Sequence, residues 1–401
     1  MKFNAEAALT RAQAVEALAS RWEFEPRTEQ VSVARACGRV LAQDCHARYD
    51  LPRHRVSSFD GIAVRSADFA AGLPDTSAWV RGVQFAQADT GDDFPDEFDT
   101  VIAAEDVSYD DEGRLTLSPD LAFRKGNAVK RAGATMGEGE LLYEEGTQLG
   151  PEAIAILAAG GWAQVPVRER LRIAYVPTGN ELVAVGTVPE RGQNVQTNSL
   201  MLGAYFQQWG AQMVEYGIVP DDRAALGAAL GRALEEADMV LINGGSSRGS
   251  EDYNSELLQE RATFFAHGVK AVPGRPIGMA IIGGKPAINV PGPMIAAFLA
   301  ADWLVQALVR FYYGQPMPRR ATVSAVLDKP LGARPGFEQL ARLAVHEEDG
   351  VLHAAPVPGC ATLAENMRSV NAFLAVPAGL RYEAGETVEV ELLDTVAGAW
   401  S

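Results

Sequence analysis

Apolar residues along this chain recur with two periods, and the changes of period divide it into four stretches. The first opens with MKFNAEAALTRAQAVEALASRW, where apolar residues three and four apart predict an amphipathic helix, and continues into a strand-like VSVARACGRVLAQD. The second alternates over short runs such as WVRGVQF, TVIAAEDV and RLTLSPDLAF between Asp- and Gly-rich turns, which predicts a small β-domain over 45–140. PEAIAILAAGG, at about 151–160, then predicts a helix stopped by glycines. Residues 1–44 with 141–170 are therefore expected to form one N-terminal helical and linker domain, with the β-domain inserted into it.

The third stretch, 171–316, changes rhythm. LRIAYVPTG, VEYGIV and DMVLINGG read as strands, with SLMLGAYFQQWG and DRAALGAALGRALEEA as helices between them. IGMAI and KPAINVPG follow as strands before a long helix from about Met294 to Tyr313. Buried strands alternating with amphipathic helices predict an α/β domain with an open, doubly wound, mostly parallel sheet. After a hinge at 315–318, residues 317–401 return to strands and turns as a C-terminal β-domain. The fold class is α/β plus β, in an elongated multidomain chain.

Composition narrows the function. A formal net charge of −17 disfavours nucleic acid and anionic lipid as partners. No apolar run approaches 18 residues and the N-terminus lacks a signal-peptide pattern, so no membrane span is expected. The three cysteines (Cys37, Cys45 and Cys360) have no CxxC spacing, which fits a reducing cytoplasm. An anionic small ligand would need backbone N–H groups and basic side chains gathered locally.

Ligands of open α/β sheets bind at the carboxyl ends of the strands. The loops there contain Thr178-Gly179-Asn180-Glu181, then Gly244-Gly245-Ser246-Ser247-Arg248-Gly249-Ser250-Glu251-Asp252, Pro273-Gly274-Arg275-Pro276 and Pro291-Gly292-Pro293-Met294. The second has glycines for close backbone approach, hydroxyls, and a helix expected to start near Asp252, whose N-terminus favours anions. A capped glycine-rich turn explains the same letters without a ligand, and neither GxxxxGK[ST] nor GxGxxG occurs there. In the β-domain, Asp60-Gly61 by itself reads as a hairpin turn.

Taken in order, these loops resemble the molybdopterin molybdenumtransferase family. The resemblance rests on Ser58-Phe59-Asp60-Gly61-Ile62-Ala63, on Thr90-Gly91 with Asp99 and Glu105, and on Thr178 to Leu182. It continues through Asn198-Ser199, Gly217-Ile218 with Asp221-Asp222, the loop Gly244–Tyr253, Pro273 to Pro276, and Asn371 to Pro377. It covers nearly the whole chain. It implies an L-shaped homodimer whose cleft lies between the β-domain of one subunit and the α/β and C-terminal domains of the other. It implies a reaction in which molybdate is joined to adenylylated molybdopterin with release of AMP, assisted by Mg²⁺. Asp60, Glu181, Asp221 and Asp252 become the expected catalytic residues, with Asp60, Glu181 and Asp252 as metal ligands. Thr90, Thr178, Gly179, Gly244, Gly245, Ser247, Arg248, Pro273, Gly274, Arg275, Pro291 and Gly292 become the substrate-binding residues. A molybdoenzyme or a pterin-adenylylating enzyme is the expected protein partner.

The chain departs from the family pattern at polar positions. Gly133-Ala134-Thr135 stands for Gly-Glu-Asp, Asn180 for Asp, Val272 for Lys, and Pro291-Gly292-Pro293-Met294-Ile295-Ala296 for P-G-N-P-x-S. A charge-assisted hydrogen bond contributes about 1.5–3 kcal/mol, so losing two or three weighs heavily on affinity or rate. One reading is an active transferase re-tuned for a variant pterin or tungstate. The alternative is a non-catalytic paralogue that binds pterin or acts as a scaffold.

Overall fold

The computed structural model describes residues 8–244, 253–359 and 362–393. The chain forms two compact units, one of 28–168 and one that joins the N-terminal 27 residues to 169–401.

In the unit 28–168, Thr28–Ser32 pairs antiparallel with Gln164–Arg168, and Cys45–His46 with Leu141–Tyr143, so the chain returns to its own beginning after the β segment. Leu41, Leu149, Leu157, Val165 and Val167 fill the core beneath these pairs. VSVARACGRVLAQD is a strand only as far as Ser32, because a 3₁₀ turn at Val33–Arg35 follows. The β segment centres on Gly61–Val64, flanked antiparallel by Phe85–Ala88 and Thr100–Ala103. Its sheet is covered on one face by Ile62, Val64, Phe69, Phe85 and Ile102 and on the other by Ala63, Phe98 and Val101.

The second unit is built on a six-stranded sheet. Its strands are β1 Arg172–Pro177, β2 Gln212–Glu215, β3 Met239–Asn243, β4 Phe264–His267, β5 Gly278–Ile282 and β6 Lys285–Val290, in the spatial order β2-β1-β3-β6-β5-β4. The first four are parallel, whereas β5 and β4 add antiparallel. The doubly wound expectation therefore holds, with an antiparallel edge. VEYGIV is a strand only to Glu215, and pairing begins earlier, at Gln212, after Gly210 at φ +87°. The edge strand Phe264–His267 was not expected: four half-buried residues show no period.

The helices within 171–316 are α1 Asn198–Gln208, α2 Arg223–Glu236, α3 Tyr253–Arg261 and α4 Met294–Tyr312, and the expected N-terminal helix spans Arg11–Ala19. Asp222 caps α2 by accepting from the Ala225 N–H at 2.8 Å. Leu226, Leu230 and Ala233 of α2, with Leu257 and Leu258 of α3, pack on Ala174, Val176 and Val240. Alternation along β1 turns Ile173 and Tyr175 to the other face, where α1 and α4 lie. Burying each such side chain fully contributes about 1.5–3 kcal/mol.

By length and composition α4 is apolar enough to cross a membrane, but two thirds of its span is buried inside this fold. It also passes through a π-helical segment at Ala301–Val305. The C-terminal β-domain supplies five strands of a six-stranded sheet around Leu327, Leu343, Ala354, Ala372 and Val390. Its strand Glu338–Glu348 takes Ala271–Val272 as a parallel partner.

Candidate functional site

After β1 the chain turns one way to β2, and β3 then takes the other side of β1. The carboxyl ends of β1 and β3 therefore diverge into a crevice, the place where open α/β sheets bind ligands. A cavity of about 490 Å³ opens there, among Thr178 and Glu181 after β1, Asn243 and Gly244 after β3, Asn198 at the head of α1, and Gly292 before α4.

Backbone contact explains the glycine of the second loop. Gly244 has φ +129°, and a Cβ there would stand 2.3 Å from the Thr178 carbonyl oxygen. The strand ends stay this close because Thr178 N–H donates to Asn243 O at 2.9 Å.

Four asparagines organise the crevice. Asn243 Oδ1 accepts from Tyr175 Oη at 2.6 Å and from Asn198 Nδ2 at 2.8 Å, while its Nδ2 donates to Pro291 O at 2.8 Å. Asn198 Nδ2 also donates to Gly292 O at 2.8 Å. Asn254 Nδ2 donates to Thr178 Oγ1 and to Gly244 O, each at 3.1 Å. The Asn289 amide nitrogen reaches Gly244 O at 2.8 Å. All four side chains are buried. Burial, with Glu215 nearby, pushes the Tyr175 phenol well above its usual range and keeps it a neutral donor. The network pins the ends of β1, β3 and β6 and the heads of α1 and α3 to one another.

Two helix N-termini face the cavity, through Thr197-Asn198 for α1 and Pro293-Met294 for α4. The partial positive charge of a helix N-terminus favours an anion, although the Ser199 N–H of α1 is already taken by Gln196 Oε1 at 3.3 Å. Glu181 is the one charged side chain among the described residues that line the cavity.

The other expected residues fall in several places. Asp221 exchanges hydrogen bonds with Asn180: each backbone N–H donates to the other's side-chain oxygen at 3.2 Å. Pro273 and Gly274 follow the short strand Ala271–Val272, and the Arg275 guanidinium stands 5.9 Å from the Phe337 ring rather than lining the cavity. Gly179 precedes Glu181 at φ +148°, and Pro291 precedes Gly292 after β6. Gly245, Ser247, Arg248 and Asp252 lie outside the described residues.

Asp60 and Thr90 belong to the unit 28–168. Asp60 is exposed, and its Oδ1 accepts from the Thr90 N–H and from Thr90 Oγ1, both at 2.7 Å. The backbone N–H first, and the hydroxyl second, hold its carboxyl below the usual aspartate value. Gly61 is no hairpin turn. It opens the central strand, and a Cβ there would fall 1.9 Å from Ile102 O.

Motif reading passed over the asparagine network and a second cavity, of about 310 Å³, lined by Phe298, Arg342, Asn366, Arg368 and Phe373. Arg342 donates to Asn366 there, and burial lowers its pKa. A cation 24 residues from its partner in sequence carries no local signature.

Among the described residues no group of three or more His, Cys, Asp or Glu could hold a metal ion. Magnesium is commonly held by one or two carboxylates plus substrate phosphates and waters. Glu181 fits that sparse pattern.

Against known proteins, residues 6–161 match the model of the MoeA N-terminal region (domain I and II), 174–310 that of a probable molybdopterin binding domain, and 324–393 that of the MoeA C-terminal region (domain IV). A molybdopterin molybdenumtransferase of Nostoc is 32% identical over 314 residues, covering 73% of this chain and 71% of that protein. The chain belongs to the molybdopterin molybdenumtransferase family. The member from Bacillus subtilis is 26% identical over 403 residues, spanning 95% of this chain and 94% of its own. The crystal structure of a molybdopterin biosynthesis MoeA protein from Pyrococcus horikosii superposes with a TM-score of 0.79 at 25% identity, covering 96% of this chain and 99% of that one.

Within the family, this chain's departures have local structural consequences. Asn180 replaces a carboxylate that would face Asp221, so the pair is held without like-charge repulsion. Pro293 is the N-cap of α4 and has no N–H to offer an anion. Val272 pairs with Gln339 at the edge of the C-terminal sheet. Gly133 has φ +70°, and a Cβ there would stand 3.0 Å from Asp50 Oδ1.

Proposed function

We propose that this protein is an active molybdopterin molybdenumtransferase of the cytoplasm, which joins molybdate to adenylylated molybdopterin and releases AMP. The observation that supports this most is the switch-point cavity, walled by amides and faced by two helix N-termini. A pterin edge alternates hydrogen-bond donors and acceptors; Asn194 and Gln196 carry both kinds, and Asn198, whose Nδ2 is taken by Asn243 and Gly292, offers its Oδ1. The substrate's phosphates match the helix N-termini. Thr178, Gly179, Gly244 and Gly292 set the backbone around the ligand. Gly245, Ser247 and Arg248, with Thr90, Pro273, Gly274, Arg275 and Pro291, complete the binding set of this reading.

Glu181, with Asp60 and Asp252, is proposed to hold Mg²⁺, which would neutralise phosphate charge as the adenylate bond breaks. Asp221 holds the Asn180 turn that carries Glu181. The same reading carries a homodimer, so light scattering should give about twice 42.9 kDa.

Purified protein supplied with adenylylated molybdopterin, molybdate and Mg²⁺ tests the proposal. AMP release together with molybdenum retained on the pterin is the expected result. Pterin binding without AMP release would point instead to the scaffold role that Val272, Asn180 and Pro293 leave open.

A further inference from the structure

We propose that His346 and His353 hold a divalent transition-metal ion on the outer face of the C-terminal β-domain, with Asp328 in its outer coordination sphere. The strands Glu338–Glu348 and Val351–Pro356 form an antiparallel hairpin whose register sets His346 directly opposite His353. The adjacent cross-strand pair, Val345 and Ala354, is buried in the domain core, so alternation turns both histidines outward.

Their ring centroids are 5.7 Å apart with the planes inclined by 32°. Metal–imidazole bonds are about 2.0–2.1 Å, so a small side-chain rotation brings both rings onto one ion. Asp328 reaches the pair because the neighbouring strand Thr322–Leu327 sets Val326 beside His353. Its Oδ1 lies 2.9 Å from His353 Nδ1. A carboxylate on one ring nitrogen fixes the tautomer with the proton at Nδ1 and leaves Nε2 as a basic lone pair, the arrangement found behind metal-bound histidines. Two imidazoles select zinc, copper or nickel over magnesium, and water fills the remaining positions. The site is therefore chemically separate from the proposed magnesium role of Glu181, and neither proposal depends on the other.

Calorimetric titration of the full-length, untagged, chelator-treated protein with ZnCl₂ tests this. One saturable zinc event is expected, absent with MgCl₂ and lost in both His346→Ala and His353→Ala. Asp328→Asn should weaken it about 10–100-fold, as for other outer-sphere partners. His346→Gln changes only the more exposed ring and should abolish binding with the fold intact by circular dichroism. Zinc binding that survives unchanged in His346→Gln and His353→Ala, or no saturable event in the wild type, overturns the proposal.

Discussion

The switch-point cavity and the Asp60 loop bear comparable family motifs but are built differently. At the cavity, position is set by buried neutral groups: Asn198, Asn243, Asn254, Asn289 and Tyr175 bond to one another and to loop carbonyls. At the Asp60 loop, an exposed carboxylate is oriented by a single residue, Thr90, which supplies both donors. Buried polar networks fix geometry because each unpaired member is costly, whereas exposed contacts exchange with water at little cost. The cavity should thus be rigid and sensitive to single amide changes. The Asp60 loop should tolerate substitution structurally and report it through titration.

Asn243→Ala attacks the rigid side. It leaves the Tyr175 hydroxyl and an Asn198 N–H without their buried acceptor, at about 1–3 kcal/mol each. A loss of about 3 kcal/mol or more in the chemical denaturation of the α/β unit is expected. A loss under about 1 kcal/mol would show that the network does not set the site.

Gly61→Ala probes the one rigid feature of the β segment. The added Cβ must displace the Ile102 backbone, and overpacking of this kind costs about 1–3 kcal/mol. The effect should appear in hydrogen exchange of Phe85–Ala88 and Thr100–Ala103, and unchanged protection there would contradict the close approach.

Thr90→Val removes the weaker of the two donors to Asp60 and leaves the backbone N–H. Carboxyl-carbon NMR titration should show the Asp60 pKa rising part of the way back toward the usual aspartate value. The sign follows from the lowered pKa. Whatever stability Asp60 contributes is present above its unfolded pKa and is lost as pH falls through the folded one. A pKa that stays put would mean the hydroxyl plays no part.

Asn180→Asp should do least to stability, within about 0.5 kcal/mol, because the position is exposed. It places a second carboxylate beside Asp221, so one of the two should titrate higher than in the wild type.

Much of the fold was legible from residue patterning. The buried runs at 172–177, 239–243 and 285–290, alternating with amphipathic helices, predicted the sheet. The period failed where elements were too short to show one, as at Phe264–His267, or where a local turn truncated a strand, as after Ser32. The site was legible only in part. Gly244 and Glu181 stand at the strand ends where the motifs placed them, and Gly61 is required for a reason unlike the turn its sequence suggested. The asparagine network was missed because its members, at 198, 243, 254 and 289, are distant in sequence and carry no charge to draw the eye. Arg342 was missed because its burial depends on Phe298 and Phe373, which only folding brings beside it.

The central claim is that the switch-point cavity is the working active site, and Glu181 is the one charged residue among the described residues of its wall. The most direct measurement compares AMP release by wild type and Glu181→Gln with saturating Mg²⁺, molybdate and adenylylated molybdopterin. The wild type should release AMP, and Glu181→Gln should be slower by about 10- to 150-fold, the range expected for one charge-assisted contact of about 1.5–3 kcal/mol. Equal rates in the two proteins would place the chemistry elsewhere, and no release by the wild type would contradict the claim outright.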